Sequence, residues 1–212
     1  MEWTKAPAGV INAATQRFWG ATADKADAVA EAMVDDPDFL GSIAAFAIEK
    51  AKSRPRVIDL GEFVVDYDET IAAKLLAVTD PKAVGWRTDW ATDEKFPDAR
   101  TGTKRYKASA VYFGRQMSDE DVETWCKAHG KKRATPKEGI DLARVSPRPK
   151  LDGVMPLALV GQFFVDADGD RDALYFRRSG DGRGLSYVWL FRGVRWDAHW
   201  WFLVLEELPL EA

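Results

Sequence analysis

Asp166, Asp168 and Asp170 alternate along the chain, a spacing at which an acidic loop can wrap a calcium ion. A calcium loop of the EF-hand type needs a bidentate acid at its twelfth position, and Arg177 stands there. The acids also lie between two strand-like runs rather than two helices, so a β-turn is the expectation. Cys126 and His129 are three residues apart, close enough on a helix for a thiol and a base to meet. Val122 and Trp125 share their face, which points to packing rather than nucleophilic chemistry. Glu206-Glu207 and Asp35-Asp36 are neighbours in sequence and do not converge on one bond. The chain carries no phosphate-binding Gly-rich loop, no Gly-x-Ser-x-Gly and no His-Glu-x-x-His. One cysteine and two histidines leave no material for a Cys-rich zinc site or a multi-histidine centre. The expectation is no catalytic residue, no metal and no cofactor.

The aromatic residues are distributed differently. Tyr175, Phe176, Tyr187, Trp189, Phe191, Trp196, Trp200, Trp201 and Phe202 place nine aromatics within 28 residues. Arg177, Arg178, Arg183, Arg192, Arg195, Asp181, Asp197 and His199 are interleaved with them. Successive side chains of a strand point to opposite faces. In Tyr187-Val-Trp-Leu-Phe191, whichever face is core, at least two large side chains are left on the other. Tyr, Trp and Arg dominate recognition surfaces because they offer large contact area with few rotors.

The elements that must hold these residues follow from periodicity. Residues 1–53 read as three short helices, with apolar stripes on Val10/Ala14/Phe18, Val29/Met33 and Leu40/Ile43/Ala47. Phe63–Tyr67 reads as a strand, with Asp68 capping a short helix through Leu76. Residues 80–102, rich in turn formers, read as irregular. Lys104–Phe113 alternates as a strand. Ser118 caps an acidic helix start, and Gly130 stops that helix. Thr135-Pro-Lys-Glu138 is a capping box that opens a helix to about Arg144. The last third is β in character: Leu157–Val165, a turn at Asp166–Asp170, Ala173–Phe176, Leu185–Phe191 and Trp200–Leu205.

The whole chain of 212 residues has 46% apolar and 30% charged residues and a net charge of −4. This is the balance of a folded globular protein and not of a nucleic-acid binder working by bulk positive charge. The longest apolar runs are about half the ~20 residues of a membrane helix. No signal peptide is evident, so a cytoplasmic location without membrane insertion is expected.

The stretch from Trp125 to Arg144, with Arg133-Ala-Thr-Pro-Lys-Glu138 at its turn, resembles the helix–loop–helix of C-type-lectin folds of the formylglycine-generating-enzyme type. Thr and Pro are exchanged here, and Gly139 replaces a bulky residue. The closing run Trp201–Leu205 is similar to the last strand of such folds, which returns beside the N-terminal one. Val64–Tyr67, Ala134–Pro136, Ala158–Gly161, Asp168–Asp170 and Phe202–Val204 together resemble the framework of target proteins of diversity-generating retroelements. The resemblance implies an α+β, C-type-lectin-like mixed small-sheet domain at 56–212 after a helical segment at 1–55. It further implies a non-enzymatic, variable ligand-binding face for a protein or other macromolecule. That face would comprise Tyr175, Arg177, Arg178, Asp181, Arg183, Tyr187, Trp189, Phe191, Arg192, Arg195, Asp197, His199 and Trp200. Leu174, Leu185, Leu190, Phe202 and Val204 would point inward. The alternatives are a metal-dependent or formylglycine-generating-enzyme-like enzyme, or an assembly protein using the tail as a permanent interface.

Overall fold

The computed structural model describes residues 54–78, 86–145, 149–179, 182–191 and 195–210. The three helices expected over 1–53 lie outside the described residues. A division of the chain falls between Arg54 and Pro55, and the strands and helices of the described residues all belong to the second unit.

Its elements run β1 (Arg56–Asp66), α1 (Ile71–Leu76), β2 (Trp86–Arg87), β3 (Thr103–Tyr112), α2 (Asp119–Ala128), β4 (Lys132–Arg133), α3 (Pro136–Arg144), α4 (Pro149–Asp152), β5 (Leu157–Val165), β6 (Arg171–Ser179), β7 (Gly182–Leu190) and β8 (Trp201–Leu208). The strands form one mixed sheet in the order β1-β3-β8-β5-β6-β7-β2, with β4 pairing with β8 off that path. The architecture is α+β.

Alternation along the strands divides the core in two. Tyr106, Ala108 and Ala110 of β3, Leu157 and Leu159 of β5, Leu174 and Phe176 of β6 and Leu203 and Leu205 of β8 bury one face of the sheet. Ile71 of α1, Ile140 and Leu142 of α3 and Leu151 of α4 cover it. The residues between them, Val111, Ala158, Val160, Ala173, Phe202 and Val204, bury the other face with Val122 and Cys126 of α2 and with Met117 and Trp196. The expected inward residues Leu174, Leu185, Leu190, Phe202 and Val204 are all buried.

Local chemistry sets the helix starts. Ser118 Oγ accepts from the Asp121 amide at 3.1 Å, and the Asp121 carboxylate accepts from the Ser118 amide at 2.9 Å. The Thr135 amide donates to Glu138 Oε2 at 2.8 Å, and Pro136 takes the first helical position of α3. Thr70 rather than Asp68 caps α1. Asp68 instead accepts from the Gly102 amide at 3.1 Å, closing β1 onto the approach to β3. Residues 86–102 are irregular apart from β2.

Gly139 has a steric reason to be small. A Cβ there would lie 2.6 Å from the Leu159 side chain, so α3 packs on β5 with nothing between. The expected neighbour of the last strand is corrected. β8 pairs antiparallel with β3 and parallel with β5, while β1 lies beyond β3 and does not pair with β8. Ten register pairs, interrupted by one shift between Asp59 and Gly61, commit β3 to β1 on its other side.

Candidate aromatic binding site

Strand β7 positions the most exposed aromatics of the described tail. Leu185, Tyr187 and Trp189 alternate onto one face of the sheet, with Phe191 continuing the series. Leu185 is buried, whereas Tyr187 is 39% exposed and Trp189 and Phe191 are each 54% exposed. Core coverage on this face of β7 ends at Leu185. Beyond that point the cover comes from the irregular segment after β2. The Thr88 amide donates to Leu185 O at 3.0 Å and anchors this segment to β7. Trp90 then stacks on Tyr187, with centroids 4.9 Å apart, and meets Phe164 of β5 edge-on at 5.7 Å. Trp189 packs against Phe191 at 4.7 Å.

A row of paired residues crosses this surface. Phe164 on β5 pairs with Asp172 on β6, and Asp172 pairs with Trp189 on β7. An acid thus stands between two aromatic residues in the middle strand. Asp172 is buried, and its Oδ1 has no hydrogen-bond partner. Burial pushes its carboxyl above the usual carboxylate range, the nearby Asp166 charge adds to that, and Lys95 works against it. The Lys95 ammonium lies 3.8 Å from the Trp90 ring centroid and 4.2 Å from that of Phe164.

The remaining tail residues sit elsewhere. Tyr175 and Arg177 lie on the opposite face of β6, because Tyr175 pairs with Ser186 while Leu174 pairs with Tyr187. Tyr175 is half-buried and packs edge-on against half-buried Trp200 at 5.1 Å; Arg177 is exposed. Trp196 is buried, and its Nε1 donates to Asp119 at 2.7 Å. Exposed His199 leans on Trp200, and exposed Arg195 pairs with Asp121 at 2.7 Å. Asp197 is also exposed. Arg178 is exposed and donates to Asp152 O at 3.2 Å. Arg183 is corrected from an outward to an inward position. It is buried and ion-paired with Asp152 Oδ1 at 2.7 Å, which ties the start of β7 to α4. Asp181 and Arg192 lie outside the described residues. The thirteen positions therefore do not form one face: Tyr187, Trp189 and Phe191 stand on one side of the sheet, and Tyr175, Arg177 and Trp200 on the other.

Three contributors to the aromatic surface were not among the expected residues: Trp90, Lys95 and Phe164. The tryptophan in an irregular, turn-rich segment was the available signal. A buried polar cluster on the same side of the sheet was also not anticipated. Lys132 Nζ donates to Tyr106 Oη at 3.0 Å, the Tyr106 and Tyr67 hydroxyls are 2.8 Å apart, and Tyr67 donates to Glu138 Oε1. Lys132 and Arg100 both pair with the same carboxylate, Arg100 at 2.7 Å. Burial and the Glu138 charge push the Tyr67 hydroxyl far above the ordinary phenol range, so it stays a donor. This cluster fastens α3 to β1 and β3.

The smaller candidates resolve simply. Asp166 Oδ1 accepts from the amides of Asp168 at 3.0 Å and Asp170 at 2.9 Å, which makes the acidic run a side-chain-stabilised turn. Among the described residues no three His, Cys, Asp or Glu side chains gather as a metal site. Cys126 is buried, and burial pushes its thiol up to about 11. His129 caps the end of α2, exposed and stacked on Trp125 at 4.1 Å.

These features define an α+β mixed-sheet domain with an aromatic surface at one end of its sheet. Comparison with known proteins returns no matching family model, no matching curated protein and no matching solved structure. Among the described residues no helix is long and apolar enough to cross a membrane.

Proposed function

We propose that this chain is a non-enzymatic binding protein that presents an aromatic surface on a C-type-lectin-like scaffold. Its partner is a protein or other macromolecule. The observation that carries the reading is the exposure of Tyr187 and Trp189 on one face of β7, with exposed Phe191 just past the strand's end and packed on Trp189. Three large aromatic side chains left half in water at the end of β7 represent unrealised apolar burial, worth roughly 25 cal/mol per Å² when a partner covers it. Rigid aromatic rings lose little rotamer freedom on binding. The resemblance to target proteins of diversity-generating retroelements supports the same region as the part of the chain that varies. In this reading the varied surface would centre on Tyr187, Trp189 and Phe191, with Trp90 as its flank.

The experiment is a substitution series read by chemical denaturation. Trp189→Ala and Phe191→Ala should each change stability by about 0.5 kcal/mol or less, as surface positions do. Phe202→Ala, in the core, should cost about 3–5 kcal/mol. If the two surface variants lose as much as Phe202→Ala, the aromatic residues are core and the binding reading falls.

A further inference from the structure

The aromatic surface contains more than apolar area. Trp90 and Phe164 meet at 5.7 Å with planes 79° apart, so their faces form two walls of a corner. Tyr187 backs the Trp90 wall, stacked on that ring with centroids 4.9 Å apart. Asp172 stands beside Phe164 and Trp189 in the strand register, buried and with Oδ1 unpartnered. An unpaired buried carboxylate oxygen is costly and asks for a donor or a cation. The adjoining turn adds Asp166, Asp168 and Asp170, so negative charge outweighs the single lysine of the corner. Aromatic faces converging beside a carboxylate are the environment that attracts an organic cation, through the negative face of each ring and the acid's charge.

The corner already holds such a cation, supplied by the chain itself. Lys95 Nζ is within 4.2 Å of both ring centroids and is half-buried. It forms no ion pair with Asp172 among those of the described residues. Lys95 sits on a flexible four-carbon stem in a segment without regular structure, so its head can leave without disturbing the sheet.

We propose that Trp90 and Phe164, with Tyr187 stacked behind Trp90 and Asp172 beside Phe164, form a recognition site for a quaternary ammonium group, and that Lys95 is its displaceable internal occupant. A quaternary ammonium suits the corner better than a primary one. It is weakly hydrated, so leaving water costs it little, and its methyl groups bury against the rings. This deepens the binding reading above by naming the chemistry that the surface accepts.

The test uses the full chain and choline chloride, followed by tryptophan fluorescence and by the indole N–H resonances in nuclear magnetic resonance spectra. The neutral carbon isostere 3,3-dimethylbutan-1-ol is the control. Choline should perturb the Trp90 signal saturably, and the isostere should bind at least about 10-fold more weakly. Asp172→Asn keeps the shape and removes the charge, and should weaken choline by about 10-fold. Lys95→Met removes the internal occupant and should strengthen it by a similar factor. No saturable binding to wild type or to Lys95→Met, with both folded, overturns the proposal. So does equal binding of choline and its isostere. Neither result touches the broader reading, which is decided by the stability of Trp189→Ala and Phe191→Ala.

Discussion

Trp90 stacks on Tyr187 with ring centroids 4.9 Å apart and planes 21° from parallel. The pair joins an irregular segment to a strand near the far end of the sheet. It converts what would be one exposed strand face into a walled surface, and it gives that surface a second chain segment. The segment that carries Trp90 is tied down by the backbone bond from Thr88 to Leu185 and, further along, by Gln162, whose Nε2 donates to Pro97 O at 2.6 Å.

Glu138 should be among the least replaceable residues of the domain. It is fully buried and takes hydrogen bonds or ion pairs from Tyr67, Arg100, Lys132 and the Thr135 amide. Glu138→Ala strips the counter-charge from both cations and opens the start of α3. Breaking a buried pair by removing one partner costs about 3–5 kcal/mol. Urea denaturation of the variant checks this; a loss under about 1 kcal/mol, that of a surface salt bridge, would mean that water replaces the carboxylate.

Gly161→Ala should be destabilising for a different reason. The Gly161 amide donates to Ala134 O at 2.8 Å, and a Cβ would sit 2.6 Å from Ala134 C and Arg133 O. These are backbone atoms and cannot swing aside. Overpacking of this kind costs about 1–3 kcal/mol, read as a shift of the denaturation midpoint at unchanged slope.

Asp172→Asn should raise stability at neutral pH. The Asp172 carboxyl is raised above its usual value of 3.8, chiefly by burial. The folded state therefore holds this proton more tightly than the unfolded state does. Stability then falls as pH rises from the unfolded value through the folded one. The variant escapes that loss, so its advantage over wild type should be present at neutral pH and disappear as pH falls below 3.8. Paired denaturation curves across that range measure it. An advantage that grows on acidification would show the opposite sign and contradict the assignment.

Cys126 should resist thiol reagents in the native protein. It is buried with Val122 and Val111 in the second core cluster, and its thiol is pushed up to about 11, so almost no thiolate exists at neutral pH. Aromatic disulfide reagents should label it only after denaturant is added. Rapid labelling without denaturant would mean that α2 opens locally.

Sequence alone determined the elements whose signals are local. The Ser118 and Thr135 caps, the acidic turn at Asp166 and the strands around it depend on contacts within a few residues, so residue type carries them directly. The alternation of Tyr106, Ala108 and Ala110 likewise announced a buried face before any partner was known. Tertiary structure decided what depends on register and on distant pairing. Tyr175 and Tyr187 belong to the same aromatic run, yet the β6–β7 register places them on opposite sides of the sheet, since a shift of one residue inverts a strand's faces. Arg183 turned inward because α4 brought Asp152 to it. Asp172 is a plain acid in the sequence and became an unpartnered buried one only when Phe164 and Trp189 flanked it across two strand pairs. β8 sits between β3 and β5 because long-range pairing energies, summed over many residues, choose among orders that no local pattern distinguishes.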